Sequence, residues 1–345
     1  MFATLEQTDA AELHLYRDPA SGLRACIAIH STRLGPAVGG CRCLPYADEE
    51  AALEDVSRLA RGMSYKEALA GLSLGGGKAV IMEPGAPYDR AALYRAFGRA
   101  VDTLGGRYIT AIDAGTEITD LDQVARGTDH VWGFSGDGLK ASPFTALGVF
   151  AALDAAVQHQ LGRNGLHGLH FAIQGLGHVG SQLALMLARA GARLTLCDLD
   201  SNRARQLAER LGARWAPADS IYDVECDGFI PCALGGVLND DTIARLHTRL
   251  VVGAANNQLA EQEDAHRLLQ RNILYAPDYV TNAGGLIALA LGRQHSDGEA
   301  VRSKVLDIGQ TLSHIFRDAY RLGISPAVMA DRLAEQRMLE ARDAA

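Results

Sequence analysis

The sequence contains no C-x-x-C pair. Its six cysteines, at 26, 41, 43, 197, 226 and 232, are scattered, and no histidine stands at zinc-ligand spacing from any of them. A disulfide framework and a cysteine-based metal site are excluded on that ground; the thiols read as reduced and no metal is expected. Cys41 and Cys43 would share one face of a strand, but further ligands for a metal are missing. An excess of positive charge is also lacking. The formal net charge of −8 argues against a phosphate-backbone partner, so nucleic acid is not expected. No unbroken apolar run approaches the ~18 residues of a membrane span. The first residues, Met1 to Glu6, have neither a basic start nor an apolar stretch, which places the chain in the cytoplasm. There is no internal repeat and no low-complexity segment. What remains is a globular balance, 48% hydrophobic and 21% charged, in 345 residues, long enough for two domains.

The stretch His170 to Asp198 anchors the rest. Phe171 to Ile173 read as a buried strand, Gly175-Leu176-Gly177-His178-Val179-Gly180 forms a G-x-G-x-x-G turn, and an Ala/Leu-rich helix follows to Ala190. Gly175 suits the tight turn, Gly177 lets backbone N–H groups approach a pyrophosphate at the helix N-terminus, and Gly180 lets helix and strand pack closely. A second strand, Arg193 to Leu196, delivers Asp198 18 residues after Gly180, where a carboxylate would meet a ribose 2′-hydroxyl. A dinucleotide is therefore expected.

Upstream, Leu23 to His30 and Leu34 to Gly40 read as strands of a mixed sheet. From Asp48 a helix carries Leu53, Val56, Ala60 and Met63 on one apolar face, with Lys66 near its C-terminal end, where a solvated lysine would also be ordinary. Gly75-Gly76-Gly77-Lys78 then leads into an apolar strand. Three successive glycines suit a ligand lying against bare backbone, with Lys78 lining the pocket as a candidate base. The spacing is not that of a P-loop. A helix from Arg90 to Leu104 is followed by a strand, Arg107 to Ile112, that brings Asp113 to its C-terminal end, a position for a catalytic acid or equally for a helix cap.

Gly133 to Ser142 reads as a hinge, and Ser142-Pro143 as N-cap and first residue of a helix running from Phe144 to Gln158. Later short strands at Gly228, Leu250 and Ile273 end in the loops Cys232 to Gly236, Gly253 to Asn257 and Asp278 to Gly285. The expected class is α/β with two domains and a cleft between them. Residues 1–140 form a mixed-sheet substrate and oligomerisation domain, with a C-terminal helix, 318–345, packing back on it; residues 141–317 form a doubly wound nucleotide-binding domain.

These residues together resemble the glutamate/leucine/phenylalanine/valine dehydrogenases over nearly the whole chain: Leu34 to Gly40, Arg61 to Lys66, Gly75 to Lys78, Asp113, Gly175 to Gly180, Gly253 to Leu259 and Asn282 to Gly285. The leucine-type members are the nearest in pattern. The resemblance implies NAD(P)-dependent oxidative deamination of an L-amino acid to a 2-oxo acid and ammonia, in a homo-oligomer, a dimer or octamer. Lys66 would bind the substrate carboxylate, Lys78 would activate water, and Asp113 would handle protons on the amino nitrogen. Gly39, Gly40 and Met63 would border the substrate. Thr145, Asn256 and Asn257 would lie by the nicotinamide; Leu199, Cys232, Ala233, Ala254 and Asn282 complete the expected cofactor contacts. Where leucine-type enzymes read Glu-Asp-Val-Gly, this chain reads Ile112-Asp113-Ala114-Gly115, which reduces the polarity beside Asp113.

Two specificities follow. Asp198 would repel a 2′-phosphate, so NAD is expected over NADP. Val38 and Leu289 stand where glutamate-specific members carry a lysine and a serine; with Ala111 and Leu286 they make the side-chain pocket apolar, suited to leucine, valine or isoleucine, with phenylalanine as the alternative. A 2-hydroxy-acid dehydrogenase would need a catalytic histidine and an arginine clamp, and a non-catalytic NAD sensor would not need both lysines and Asp113.

Overall fold

The computed structural model describes residues 10–85, 87–137, 141–292 and 298–343. Met1 to Glu6, read above for a leader, lie outside these, as do residues 138–140 of the expected hinge. The chain divides into two compact units, Met1–Leu139 with Ala334–Ala345, and Lys140–Leu333.

The first unit is built on a five-stranded mixed sheet of order β1-β2-β4-β3-β5: β1 Glu12–Asp18, β2 Leu23–Ser31, β3 Ala37–Leu44, β4 Gly75–Met82 and β5 Tyr108–Ile112. The pairs β1/β2 and β2/β4 are antiparallel, whereas β3 runs parallel to both β4 and β5. Helix α1, Glu49–Ala70, is capped by the Asp48 side chain and closed by Gly71 in the left-handed region. It covers one face of the sheet, where Ala52, Val56 and Ala60 pack on Cys26, Ala28 and Val80. Helices α2, Arg90–Asp102, and α3, Ile118–Val124, cover the other. There Phe97, Tyr94 and Leu121 enclose Ala37, Cys41 and Cys43, so the cysteine pair does share a face, and that face is hydrophobic core. All six cysteines are free.

The second unit contains a six-stranded parallel sheet: β6 His170–Gln174, β7 Arg193–Cys197, β8 Arg214–Trp215, β9 Gly228–Pro231, β10 Leu250–Val251 and β11 Leu274–Tyr275. Its order, β11-β10-β9-β6-β7-β8, reverses direction between β6 and β9, as in a doubly wound dinucleotide-binding sheet. Helices α4, Ala141–Leu161, α5, His178–Arg189, α6, Ser201–Leu211, α7, Asp240–Arg245, and α8, Glu263–Gln270, connect the strands, and α9, Asp278–Thr281, α10, Gly284–Gly292, α11, Gly298–Leu322, and α12, Pro326–Asp343, follow.

Three expectations need correction. Ser142 and Pro143 lie inside the first turn of α4 rather than at its cap, a position where the missing proline N–H has no intrahelical partner to lose. By length and composition α4 could cross a membrane, contrary to the absence of such a segment inferred above; it is a core helix, with Ala146, Leu147, Val149, Ala152 and Leu153 buried against α5, α10 and α11. The segment returning to the first unit begins at Ala334, within α12, not at 318. Residues 318–322 belong to α11, which packs along α4, and Asp331 accepts a 2.5 Å hydrogen bond from Tyr279 of α9.

Candidate active site

In the first unit, strand register decides which side chains meet. Val38 pairs with Gly76 on one side and Ile109 on the other, and Gly40 pairs with Ala111. Because side chains alternate along a strand, Val38, Gly40, Arg42, Ala111 and Lys78 all lie on one face. Gly39 lies on the opposite face, and its carbonyl accepts from the Tyr108 hydroxyl at 2.7 Å.

The three glycines before Lys78 answer to packing first. A Cβ at Gly75 would fall 2.0 Å from the Ser31 carbonyl oxygen, at Gly76 2.0 Å from the Ser64 nitrogen, and at Gly77 2.8 Å from the Tyr108 ring. They are already within β4, so the reading of them as a bare ligand cradle is replaced: they let the end of β2, α1 and β5 close on the strand. The contact of Ser64 with Gly76 brings the turn carrying Met63 and Lys66 against β4 two residues before Lys78. Gly40 acts similarly, since a Cβ there would sit 2.7 Å from Asp113 Cβ.

Lys78 is 7% exposed, and its Nζ donates to Asp113 Oδ2 at 2.7 Å. Arg42 Nε donates to the same oxygen at 3.1 Å, while its Nη1 reaches Asp55 Oδ2 at 2.9 Å. Asp55 also accepts from Tyr46 at 2.7 Å and from Arg58 at 2.9 Å. Burial of Asp113 favours its neutral acid, but the cations of Lys78 and Arg42 outweigh burial, and its carboxyl is held below the usual range. The reduced polarity expected from Ile112 does not materialise, because Ile112 is exposed and two cations, buried Lys78 and partly buried Arg42, set the local field. Arg42 and Asp55 escaped the sequence reading; the available signal was Arg42 lying two residues beyond Gly40 on a strand, hence on its face.

The second unit holds a separate constellation. Gly175, with φ +95°, turns out of β6, and a Cβ on it would meet Ala233 at 2.7 Å. A Cβ on Gly180 would fall 2.0 Å from the Gly175 carbonyl oxygen and 3.3 Å from Cys232. These two glycines are required by the loop itself, whereas Gly177 has no atom within 4 Å of its would-be Cβ. Gly177 caps α5 without a side-chain hydrogen bond, and the first intrahelical bond is from the Ser181 N–H, so the amides of His178, Val179 and Gly180 find no partner within the helix. An uncapped helix start with open space at its glycine fits a pyrophosphate. The Leu176 N–H donates to Asp198 Oδ2 at 2.7 Å, Asp198 Oδ1 accepts from the Asp200 N–H, and both oxygens keep lone pairs for ribose hydroxyls. Leu199 beside it is exposed.

At the ends of β10 and β11, Asn282 Nδ2 donates to the Ala254 carbonyl oxygen at 3.1 Å and to Asn256 Oδ1 at 2.7 Å, and Asn257 adopts a left-handed φ of 51°. Asn282 Oδ1 is buried with no hydrogen-bond partner among the described residues, an acceptor left for a ligand donor such as a carboxamide. Thr145 on α4 bonds back to the Ala141 carbonyl oxygen and packs on Gly285. Leu286 and Leu289, one turn apart on α10, are its half-buried stripe, while Ile287, Ala288 and Ala290 are buried.

Residues 11–130 match the model for the Glu/Leu/Phe/Val dehydrogenase dimerisation domain, and residues 195–328 match that for Glutamate/Leucine/Phenylalanine/Valine dehydrogenase. The chain belongs to this family. It is an amino acid dehydrogenase, and its cofactor is NAD. It is 44% identical to leucine dehydrogenase of Thermoactinomyces intermedius over 98% of this chain and 93% of that one. Valine dehydrogenase of Streptomyces albus is 46% identical over 98% and 94%. Among solved structures, L-tryptophan dehydrogenase from Nostoc punctiforme has a TM-score of 0.89 and 39% identity, covering 99% of this chain and 100% of that one.

Proposed function

We propose that this dehydrogenase oxidatively deaminates apolar L-amino acids, leucine, valine and isoleucine foremost, to 2-oxo acid, ammonia and NADH. The observation that carries the reading is the 2.7 Å contact between nearly buried Lys78 and ionised Asp113 on a sheet face that also presents Val38 and Ala111. Lys66 holds the substrate α-carboxylate. Asp113 accepts a proton from the substrate amino group and later returns one to the departing amine, while Lys78, once it has released its own proton to solvent, accepts one from the water that attacks the imine carbon. Bound NAD supplies the hydride acceptor; the Gly175–Gly180 loop and Asp198 hold its pyrophosphate and ribose, and Asn256, Asn257, Asn282 and Thr145 its nicotinamide end. Val38, Ala111, Leu286 and Leu289 offer no partner to a γ-carboxylate, whose desolvation would cost several kcal/mol, so glutamate is rejected. The match of residues 11–130 to a dimerisation domain supports a homo-oligomer, and we place it in the cytoplasm.

An aromatic substrate is the second reading, supported by the small Ala111 and by the likeness to L-tryptophan dehydrogenase. NADH formation from a panel of leucine, valine, isoleucine, phenylalanine, tryptophan and glutamate decides. Faster turnover of glutamate than of all the others refutes the proposal, and an aromatic optimum selects the second reading. Lys78→Ala is expected to lose 10²–10⁴-fold in turnover while still binding NAD; Lys66→Ala acts mainly through KM.

A further inference from the structure

We propose that Arg42, tethered by Asp55, is a positioning residue that sets the charge of the Lys78–Asp113 pair and thereby the pH at which the pair becomes competent. The inference rests on the roles given above to Lys78 and Asp113, and extends them to two residues that touch neither substrate nor cofactor in that scheme.

Lys78 and Arg42 converge on one oxygen, Asp113 Oδ2, from two adjacent strands, at 2.7 and 3.1 Å. The three side chains are 8–16% exposed, so water screens them little. With Lys78 alone, the carboxylate would have a single cation to share a proton with, and the pair would hold that proton to a higher pH. Arg42 carries a permanent charge and five fixed donors, so it compensates Asp113 without offering a titrating proton of its own. A proton added anywhere on the pair is opposed by this charge. Asp55 works in the other direction: it takes the Arg42 Nη1 at 2.9 Å and shares its own oxygens with Tyr46 and Arg58, which both orients the guanidinium and offsets part of its field. Arg58 on α1 reaches the cluster only through Asp55, and the charged or titratable groups nearest on the opposite sheet face are Cys41 on β3 and Tyr108 on β5, both buried, with thiol and phenol pushed up by burial and so neutral. Arg42 donates to both Asp113 and Asp55, and the geometry gives it the place between them.

Opposite shifts test the assignment. The pH dependence of kcat/KM with NAD and the best amino acid is measured for the full protein and for Arg42→Gln and Asp55→Asn, with melting temperature and NAD affinity recorded for each. Removing the Arg42 charge moves the acid limb up by about one to two pH units; on that slope the rate falls about 10- to 100-fold and is recovered at higher pH. Removing the Asp55 charge moves the limb down. Arg42→Lys, which keeps the charge but not the fork, returns the limb most of the way. Packing damage would depress the rate at every pH in both variants and could not move the limb in two directions. A limb that stays in place in Arg42→Gln, or shifts of the same sign in Arg42→Gln and Asp55→Asn, overturn the inference and leave the function intact. Near-normal turnover in Lys78→Ala removes the underlying roles and the inference with them.

Discussion

Glu67, in the last full turn of α1, has no exposed surface, and neither carboxyl oxygen meets a hydrogen-bond partner among the described residues. Burial pushes its pKa well above the ordinary value of 4.5, and the neighbouring Lys66 offsets only part of this. The fold therefore binds this proton more tightly than the unfolded chain does. For an acid raised in this way, stability is highest below pH 4.5 and declines as pH rises, by about 1.4 kcal/mol per unit, for as long as the buried group stays protonated. Above pH 4.5 the native state gives up stability for as long as Glu67 stays protonated, and burying an unpartnered neutral carboxyl costs about 1–3 kcal/mol independent of pH. Glu67→Met fills a similar volume without either cost. Its melting temperature should exceed that of the parent by roughly 2 °C or more at pH 4.5, taking 2–4 °C per kcal/mol for a unit of this size, and by clearly more at pH 6.5. Glu67→Gln should lose the pH dependence while keeping part of the polar cost. Calorimetry from pH 4.5 to 7 checks both; a parent-to-variant difference that does not widen with pH, or a less stable methionine variant, refutes the reasoning.

Two glycines should separate fold from ligand. Gly76→Ala drives a methyl against the Ser64 backbone and should lower the melting temperature, whereas Gly177→Ala meets open space and should leave it unchanged while weakening NAD binding by calorimetric titration. Asp198→Ser removes the carboxylate that Arg203 approaches at 3.6 Å, and should raise kcat/KM with NADP relative to NAD at least tenfold; unchanged preference would show that cofactor choice lies elsewhere.

Local chemistry made much of this legible in advance. The G-x-G-x-x-G turn and the Asp198 spacing announce strand, helix and strand because Gly175 and Gly180 are each required sterically by the turn, and the Asp48 cap marks the start of α1. Gly75 to Gly77 show the limit. A glycine that accommodates a ligand and one that accommodates a neighbouring helix are the same letter, and only the position of Ser64 tells them apart. Arg42 was hidden for a related reason: an arginine between two cysteines looks solvated until Asp55, from α1, and Asp113, beyond β5, are brought to either side of it. Ser142-Pro143 misled because the start of a helix tolerates proline over several positions. The two-residue strand β8 has too little pattern to be seen at all.

The helix that carries Lys66 is finished by residues nearly 270 positions downstream. Arg337 donates to the Ala68 and Leu69 carbonyl oxygens at the end of α1, and Glu335 accepts from the Tyr65 hydroxyl at 2.7 Å. The second unit is therefore an insertion within the first, and during synthesis the order of completion inverts the order of encoding. The nucleotide-binding unit can close as soon as its own strands have emerged. The first unit waits on the ribosome with the end of α1 closed by Gly71 alone, and in a nascent chain stalled before Ala334 the second unit would be nearly complete while α1 still lacked its Arg337 and Glu335 contacts.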